Sequence, residues 1–188
     1  MLTERFERAL VFATRLHRDQ KRKGSGVPYV SHLLAVCELT LEYGGDEDEA
    51  IAALLHDAIE DQGGEVARAE ILREFGPRVT EIVGGCTDTD QSPKPAWRVR
   101  KEDYIRHVEE ASASVRLVSA CDKLHNARSL VMDYRVFGED LWGRFTGRRN
   151  GTLWYYRAMV NALRAAGTSP VVEELDRVVS ELETIAAL

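Results

Sequence analysis

Apolar residues recur along almost the whole chain at helical rather than alternating spacing. Thr3 is placed to cap a first helix whose Phe6, Ala9, Leu10, Ala13 and Leu16 fall on one stripe. The run from Arg22 to Tyr29 breaks that pattern with two glycines, a proline and three basic residues within or beside it. A second helix is predicted from about Val30 to Tyr43, stopped by Gly44 and Gly45. Asp46 with Glu49 three residues on reads as a capping box, opening a third helix through Ile51, Leu54, Leu55 and Ala58. A fourth carries Ile71, Leu72 and Phe75 and ends at Gly76 and Pro77; a fifth carries Val79, Ile82 and Val83.

Residues Asp88 to Pro95 are polar with two prolines and predict a mobile loop. Helical patterning resumes near Val99 and again from Ser114 to about Asp133. A glycine- and arginine-rich segment, Gly138 to Gly151, precedes a helix with Trp154, Tyr155, Tyr156 and Met159. The last helix starts at Pro170, after Ser169, with Val171, Leu175, Val178, Leu182 and Ile185 in phase. With no repeat and no second apolar pattern, the prediction is one all-α domain.

Composition narrows what such a domain does. The 188 residues suffice for a single core, and 44% hydrophobic with 30% charged residues is ordinary for a soluble globule. The apolar runs are too short to span a membrane, and the N-terminus has no apolar signal segment. A net charge of −6 argues against a broad nucleic-acid surface, so an anionic ligand needs a local basic pocket. Cys37, Cys86 and Cys121 are odd in number and widely spaced, as expected of reduced thiols in a cytoplasm. Composition sets no oligomeric state.

The chemistry concentrates in His56-Asp57-Ala58-Ile59-Glu60-Asp61, which ends the apolar segment Ile51 to Leu55. On a helix, His56 and Glu60 lie one turn apart, as do Asp57 and Asp61. Asp122-Lys123-Leu124-His125-Asn126 follows a second apolar run, and His32 opens the second helix. Together His32, His56, Asp57 and Asp122 give a mixed imidazole and carboxylate shell that suits manganese, iron or zinc. Glu60 and Asp61 are placed to position a nucleophile or accept its proton. A lone histidine is ordinarily a core or surface residue, and His17, His107 and His125 are read that way. Trp154, Tyr155 and Tyr156 cannot share one helix face, so at least one belongs to the core.

These strings resemble the HD hydrolase domain of the RelA/SpoT family, especially its short stand-alone alarmone hydrolases. The matching runs are Ala13 with His17 to His32, Ala53 to Asp61, Phe75-Gly76, Gly85-Cys86-Thr87, Arg100-Lys101, Tyr104-Ile105, Asp122 to Asn126 and Trp154 to Tyr156. They extend over roughly residues 5 to 165, with the helix at 170–187 following. The resemblance implies a single HD-type helical domain across 1–188, and manganese or another divalent ion at His32, His56, Asp57 and Asp122. It implies Glu60 and Asp61 as the catalytic acidic pair, and a nucleotide pocket at Arg22, Lys23 and Asn126 with Lys101, Arg144 and Tyr156. The reaction implied is removal of the 3′-pyrophosphate of (p)ppGpp, the alarmone of the stringent response.

A substrate with two pyrophosphates needs cations, and the pool is Lys21 to Lys23, Arg98, Arg100, Lys101, Lys123 and Arg144. The chain departs from the family where Leu33 replaces the usual proline, Cys121 the usual alanine, and Asp88 a common lysine near the substrate side. The synthetase and regulatory domains of the long members find no room in 188 residues. Another nucleotide phosphohydrolase, such as an NADPH phosphatase or a dNTP-type enzyme, shares these requirements. A non-catalytic nucleotide-binding module is disfavoured because all six ligand and acidic positions are intact. A cyclic-dinucleotide phosphodiesterase is disfavoured because no Gly-Tyr-Pro string is present.

Overall fold

The computed structural model describes residues 1–23, 25–89 and 93–187. The caps read from sequence form. Arg5 N donates to Thr3 Oγ1 (3.2 Å) and starts α1, Glu4–Leu16. Glu49 N donates to Asp46 Oδ1 (3.1 Å) while Asp46 N donates to Glu49 Oε2 (2.8 Å), which starts α3, Glu47–Leu55. Between them runs α2, Val30–Glu42. Then follow α4, Ala58–Gln62; α5, Glu65–Phe75; α6, Pro77–Cys86; and α7, Trp97–Glu110. The long α8, Ala113–Phe137, leads through a 3-10 turn, Gly138–Arg144, to α9, Arg148–Ala166, and α10, Pro170–Ala186. The fold is all-α: among the described residues the only β-type pairing is an isolated bridge between Lys21 and Pro28.

Three boundaries differ from the sequence expectation. The third helix does not run on to Ala58. It stops at Leu55, and His56 and Asp57 (φ −97°, ψ 0°) form a joint before α4. α8 reaches Phe137 rather than about Asp133. The glycine-rich segment is not a plain loop, because the 3-10 turn buries Leu141 and Trp142 and α9 already includes Gly151. Of the loop expected over Asp88 to Pro95, residues 90–92 lie outside the described residues, as does Gly24 of the basic run.

One apolar core takes in residues from Ala9 in α1 to Ala186 in α10. α8 runs through it, contacting α2, α3 and α6 on one side and α10 on another, while α7 lies on α9. Leu54, Leu55, Leu124, Met159, Leu163 and Leu175 are at most 1% exposed, each contributing about 1.5–3 kcal/mol by leaving water. This packing fixes α2, the α3–α4 joint and α8 against one another. Two glycines matter to the site. Gly63 (φ 141°) and Gly64 (φ 55°) let the chain turn sharply just past Asp61. No helix among the described residues is long and apolar enough to cross a membrane. Cys37, Cys86 and Cys121 are buried free thiols, and burial pushes Cys86 up to about 11 and the other two to about 12.

Candidate active site

The three elements fixed by the core bring four donor groups to one point. His32 stands in the first turn of α2, His56 and Asp57 form the α3–α4 joint, and Asp122 lies midway along α8. His56 Nε2 is 3.0 Å from Asp57 Oδ2 and 3.6 Å from Asp122 Oδ1. His32 Nε2 is 3.2 Å from Asp122 Oδ1 and 3.7 Å from Asp57 Oδ2. The donor atoms of His32, His56 and Asp57 all lie within 4.8 Å of one another. The joint at His56 is what aims consecutive residues inward together, which a continuous helix would not do.

Each donor is oriented from behind. His56 Nδ1 donates to the Ala53 carbonyl (2.8 Å), which leaves Nε2 to face the cluster. Nε2 is buried and has no hydrogen-bond partner. His32 Nδ1 lies 2.8 Å from His125 Nδ1. Burial, with His32 and Arg22 adding, pushes His125 down to about 4, so it is neutral and can accept the His32 Nδ1 proton. Tyr29 Oη donates to Asp57 Oδ2, and Lys123 Nζ donates to Asp122 Oδ2. Asn126 Nδ2 donates to Asp122 Oδ1 (2.5 Å).

Burial would disfavour charge here, but His56, Asp57 and Asp122 hold one another ionised. Asp57 and Asp122 outweigh burial and raise His56 well above its ordinary value. Lys123 and the imidazoles outweigh burial at Asp122 and take it well below the carboxylate range. His32 is lowered, chiefly by burial. The joint field of the two carboxylates attracts positive charge, and His56 Nε2 points into it, 3.0 Å from Asp57 Oδ2. Ligand bonds of about 2.1 Å place neighbouring donors about 3 Å apart in an octahedral shell, so these residues fit a divalent ion.

The cluster opens on a cleft of about 580 Å³ that Glu60 and Asp61 also line. Glu60 Oε1 pairs with Lys94 Nζ (3.0 Å) and Oε2 takes the Asp88 N–H (3.4 Å). Asp61 Oδ2 accepts from Gln20 Nε2 (2.7 Å), whose Oε1 accepts from Gln62 (2.6 Å) and lies 2.5 Å from His17 Nδ1. Burial, with Asp57 and Glu60 nearby, raises Asp61 above its usual value.

All six residues expected to bind substrate line the cleft, in different states. Arg22 Nη2 donates to Asn126 Oδ1 (2.8 Å), so the Asn126 amide is engaged at both ends. Lys23 stands on the basic loop. Arg144 lies 3.9 Å over the Phe137 ring with Nη1 buried and unpartnered. Tyr156 is buried in the wall. Lys101 is tied to Asp88 (3.1 Å). Two members of the cation pool fall away: Arg98 stacks 3.2 Å from Trp154 and pairs with Glu102 (2.6 Å), and neither it nor Lys21 lines the cleft.

Tyr29, His125 and Lys94 were not singled out as site residues by their sequence pattern, whereas Asp88 was marked as an anion near the substrate side; His17 and Gln20 reach Asp61 only through folding. For His125 a signal existed, since it stands three residues after Asp122 on one helix.

The HD domain profile matches residues 9–152. A GTP pyrophosphokinase of Streptomyces coelicolor is 38% identical over 127 residues, 66% of this chain and 14% of that one. A guanosine-3′,5′-bis(diphosphate) 3′-pyrophosphohydrolase of Danio rerio is 35% identical over 122 residues, 63% of this chain and 65% of that one. The chain thus spans less than two thirds of the length of these curated relatives. A solved structure of a metazoan ortholog of SpoT that hydrolyzes ppGpp superposes with a TM-score of 0.79 at 29% identity, covering 95% of both chains. Because the profile runs from α1 into α9 and includes the helices that supply all four converging groups, the chain belongs to the HD domain family.

Proposed function

We propose that this protein hydrolyses (p)ppGpp at the 3′ position, releasing pyrophosphate and leaving GDP or GTP. The observation that carries this reading is the convergence of His32, His56, Asp57 and Asp122 at a cleft where Glu60 and Asp61 stand beside them. The similarity to a Danio rerio 3′-pyrophosphohydrolase and to a SpoT ortholog that hydrolyzes ppGpp supports the choice of substrate. All of residues 1–188 are read as one such domain, working in a reducing cytoplasm that leaves its thiols free.

His32, His56, Asp57 and Asp122 would hold the ion, which we take to be manganese. A divalent ion there supplies Lewis acidity toward a phosphoryl oxygen and toward water. Asp61, made a better proton acceptor by burial and by neighbouring Asp57, takes the proton of the attacking water while Gln20 orients its carboxylate. Glu60 shares that role from the neighbouring position, steadied by Lys94 and the Asp88 amide. As water adds to phosphorus, the bond to the ribose 3′ oxygen breaks and that oxygen regains a proton. Arg22, Lys23 and Arg144 bind phosphate oxygens, with Arg22 preset by Asn126. Tyr156 offers an apolar wall with a hydroxyl tip.

The test is a nucleotide panel, ppGpp, pppGpp and NADPH, assayed with and without manganese. We expect manganese-dependent kcat/KM to be highest for the guanosine substrates. Preferential turnover of NADPH would move the substrate assignment to a 2′-phosphate.

A further inference from the structure

The cleft is lined by six Lys or Arg and six Asp or Glu residues among those described, so it is not a strongly cationic pocket. Four of the acids are the converging aspartates and the pair beside them. Asp88 belongs to neither set. It sits two residues past the end of α6, and its side chain is only 7% exposed. Its Oδ2 accepts from the Arg100 guanidinium and from Lys101 Nζ (3.1 Å), two side chains themselves 15% and 19% exposed. Its Oδ1 is buried with no hydrogen-bond partner. Its backbone N–H reaches Glu60 Oε2 (3.4 Å), so the residue stands next to the acidic pair.

A buried carboxylate holding two cations changes what those cations can do. Arg100 and Lys101 both line the cleft, yet one of their two positive charges is already offset by the carboxylate they share. A phosphate that reaches them must displace Asp88 or share them with a nearby anion, and in a partly desolvated wall that repulsion is weakly screened. The buried, unpartnered Oδ1 leaves negative charge uncompensated in the wall, which repels phosphate oxygen across the cleft.

We propose that Asp88 is a specificity-determining residue that penalises each additional phosphate on the bound nucleotide, so the site favours the less phosphorylated of two related substrates. The inference rests on the reading of the cleft as a nucleotide phosphate site. Asp88 does not touch the reacting atoms; it acts through Arg100 and Lys101.

Two measurements on the full chain test it. The first is calorimetric titration with inorganic phosphate, pyrophosphate and tripolyphosphate, using metal-free protein so that anions do not chelate the ion. Asp88→Asn keeps the shape and removes the charge. It should tighten tripolyphosphate by about tenfold and phosphate by less than about threefold. In a Lys101→Met background the same substitution should gain distinctly less, since one freed cation is gone. Should Asp88→Asn prove unfolded by circular dichroism, Asp88→Ser takes its place, since it too removes the charge and should tighten tripolyphosphate more than phosphate. Equal gains for all three anions, or no binding of tripolyphosphate to either protein, overturns the proposal. The second is the kcat/KM ratio of pppGpp to ppGpp, which should rise in Asp88→Asn through KM. If neither nucleotide is turned over by the unaltered protein, the substrate reading falls, while the titration still decides the role of Asp88.

Discussion

The floor of the cleft and its rim are built on different terms. On the floor, His32, His56 and Asp122 are between 1% and 7% exposed and project from helices, or from the α3–α4 joint, locked by the core. Every one of the four floor groups has a rear partner: His125, the Ala53 carbonyl, Tyr29, or Lys123 with Asn126. The rim groups come from loops or helix edges: Arg22, Lys94 and Lys101 pair with single polar side chains, and Lys23 stands on the basic loop. A floor fixed in advance serves chemistry, where small misplacement is costly. A rim of exchangeable ion pairs serves substrate choice, since each pair can be traded for a phosphate contact. Changes to the floor should therefore abolish function, and changes to the rim should retune it.

The largest expected effect is at the floor. Asp122→Ala should lose bound manganese and all measurable turnover, because three donors remain and Lys123 is left buried without its counter-ion. Metal analysis of the purified variant checks this, and full metal content with normal activity would remove Asp122 from the ligand set. Next comes Glu60→Gln, which should reduce kcat by about 10²-fold or more with manganese retained. Near-normal kcat would reduce Glu60 to an anchor for Lys94.

A third effect concerns protons. His56 holds a raised pKa in the ion-free protein because Asp57 and Asp122 face it, so an incoming ion must expel that proton. Manganese affinity should therefore rise as pH increases through neutrality and weaken as pH falls, with about one proton released per ion. Calorimetry in buffers of different ionisation enthalpy measures the release; none at pH 7 would mean His56 is already neutral. The smallest effect belongs to the rim. Arg22→Ala should raise KM by about tenfold with kcat within about threefold, and the dependence on salt should flatten. Unchanged KM would make the basic loop a solvated face and shift phosphate binding toward Arg144.

The same division governs what the sequence made legible. The floor was readable because His32, His56-Asp57 and Asp122 are rare chemical types set against apolar runs, and helical period carried α2 and α8. The caps at Thr3 and Asp46 were readable because they act within four residues. The joint at His56 was not, since the apolar spacing continues from Ile51 to Ala58 and only tertiary packing ends α3. The 3-10 turn was hidden because Leu141 and Trp142 form a buried pair too short to show a period. Rim pairings such as Lys94 with Glu60 and Lys101 with Asp88 join common residues 34 and 13 positions apart. Nothing local marks such partners, so the pool of cations named from sequence overstated the charge free to meet a substrate.

The most direct test of the proposed chemistry is to identify the products released from ppGpp by the manganese-loaded chain. We expect GDP and pyrophosphate in equal amounts, from cleavage between phosphorus and the ribose 3′ oxygen. Orthophosphate as the first product, or intact ppGpp after prolonged incubation with fully metallated protein, would contradict the assignment.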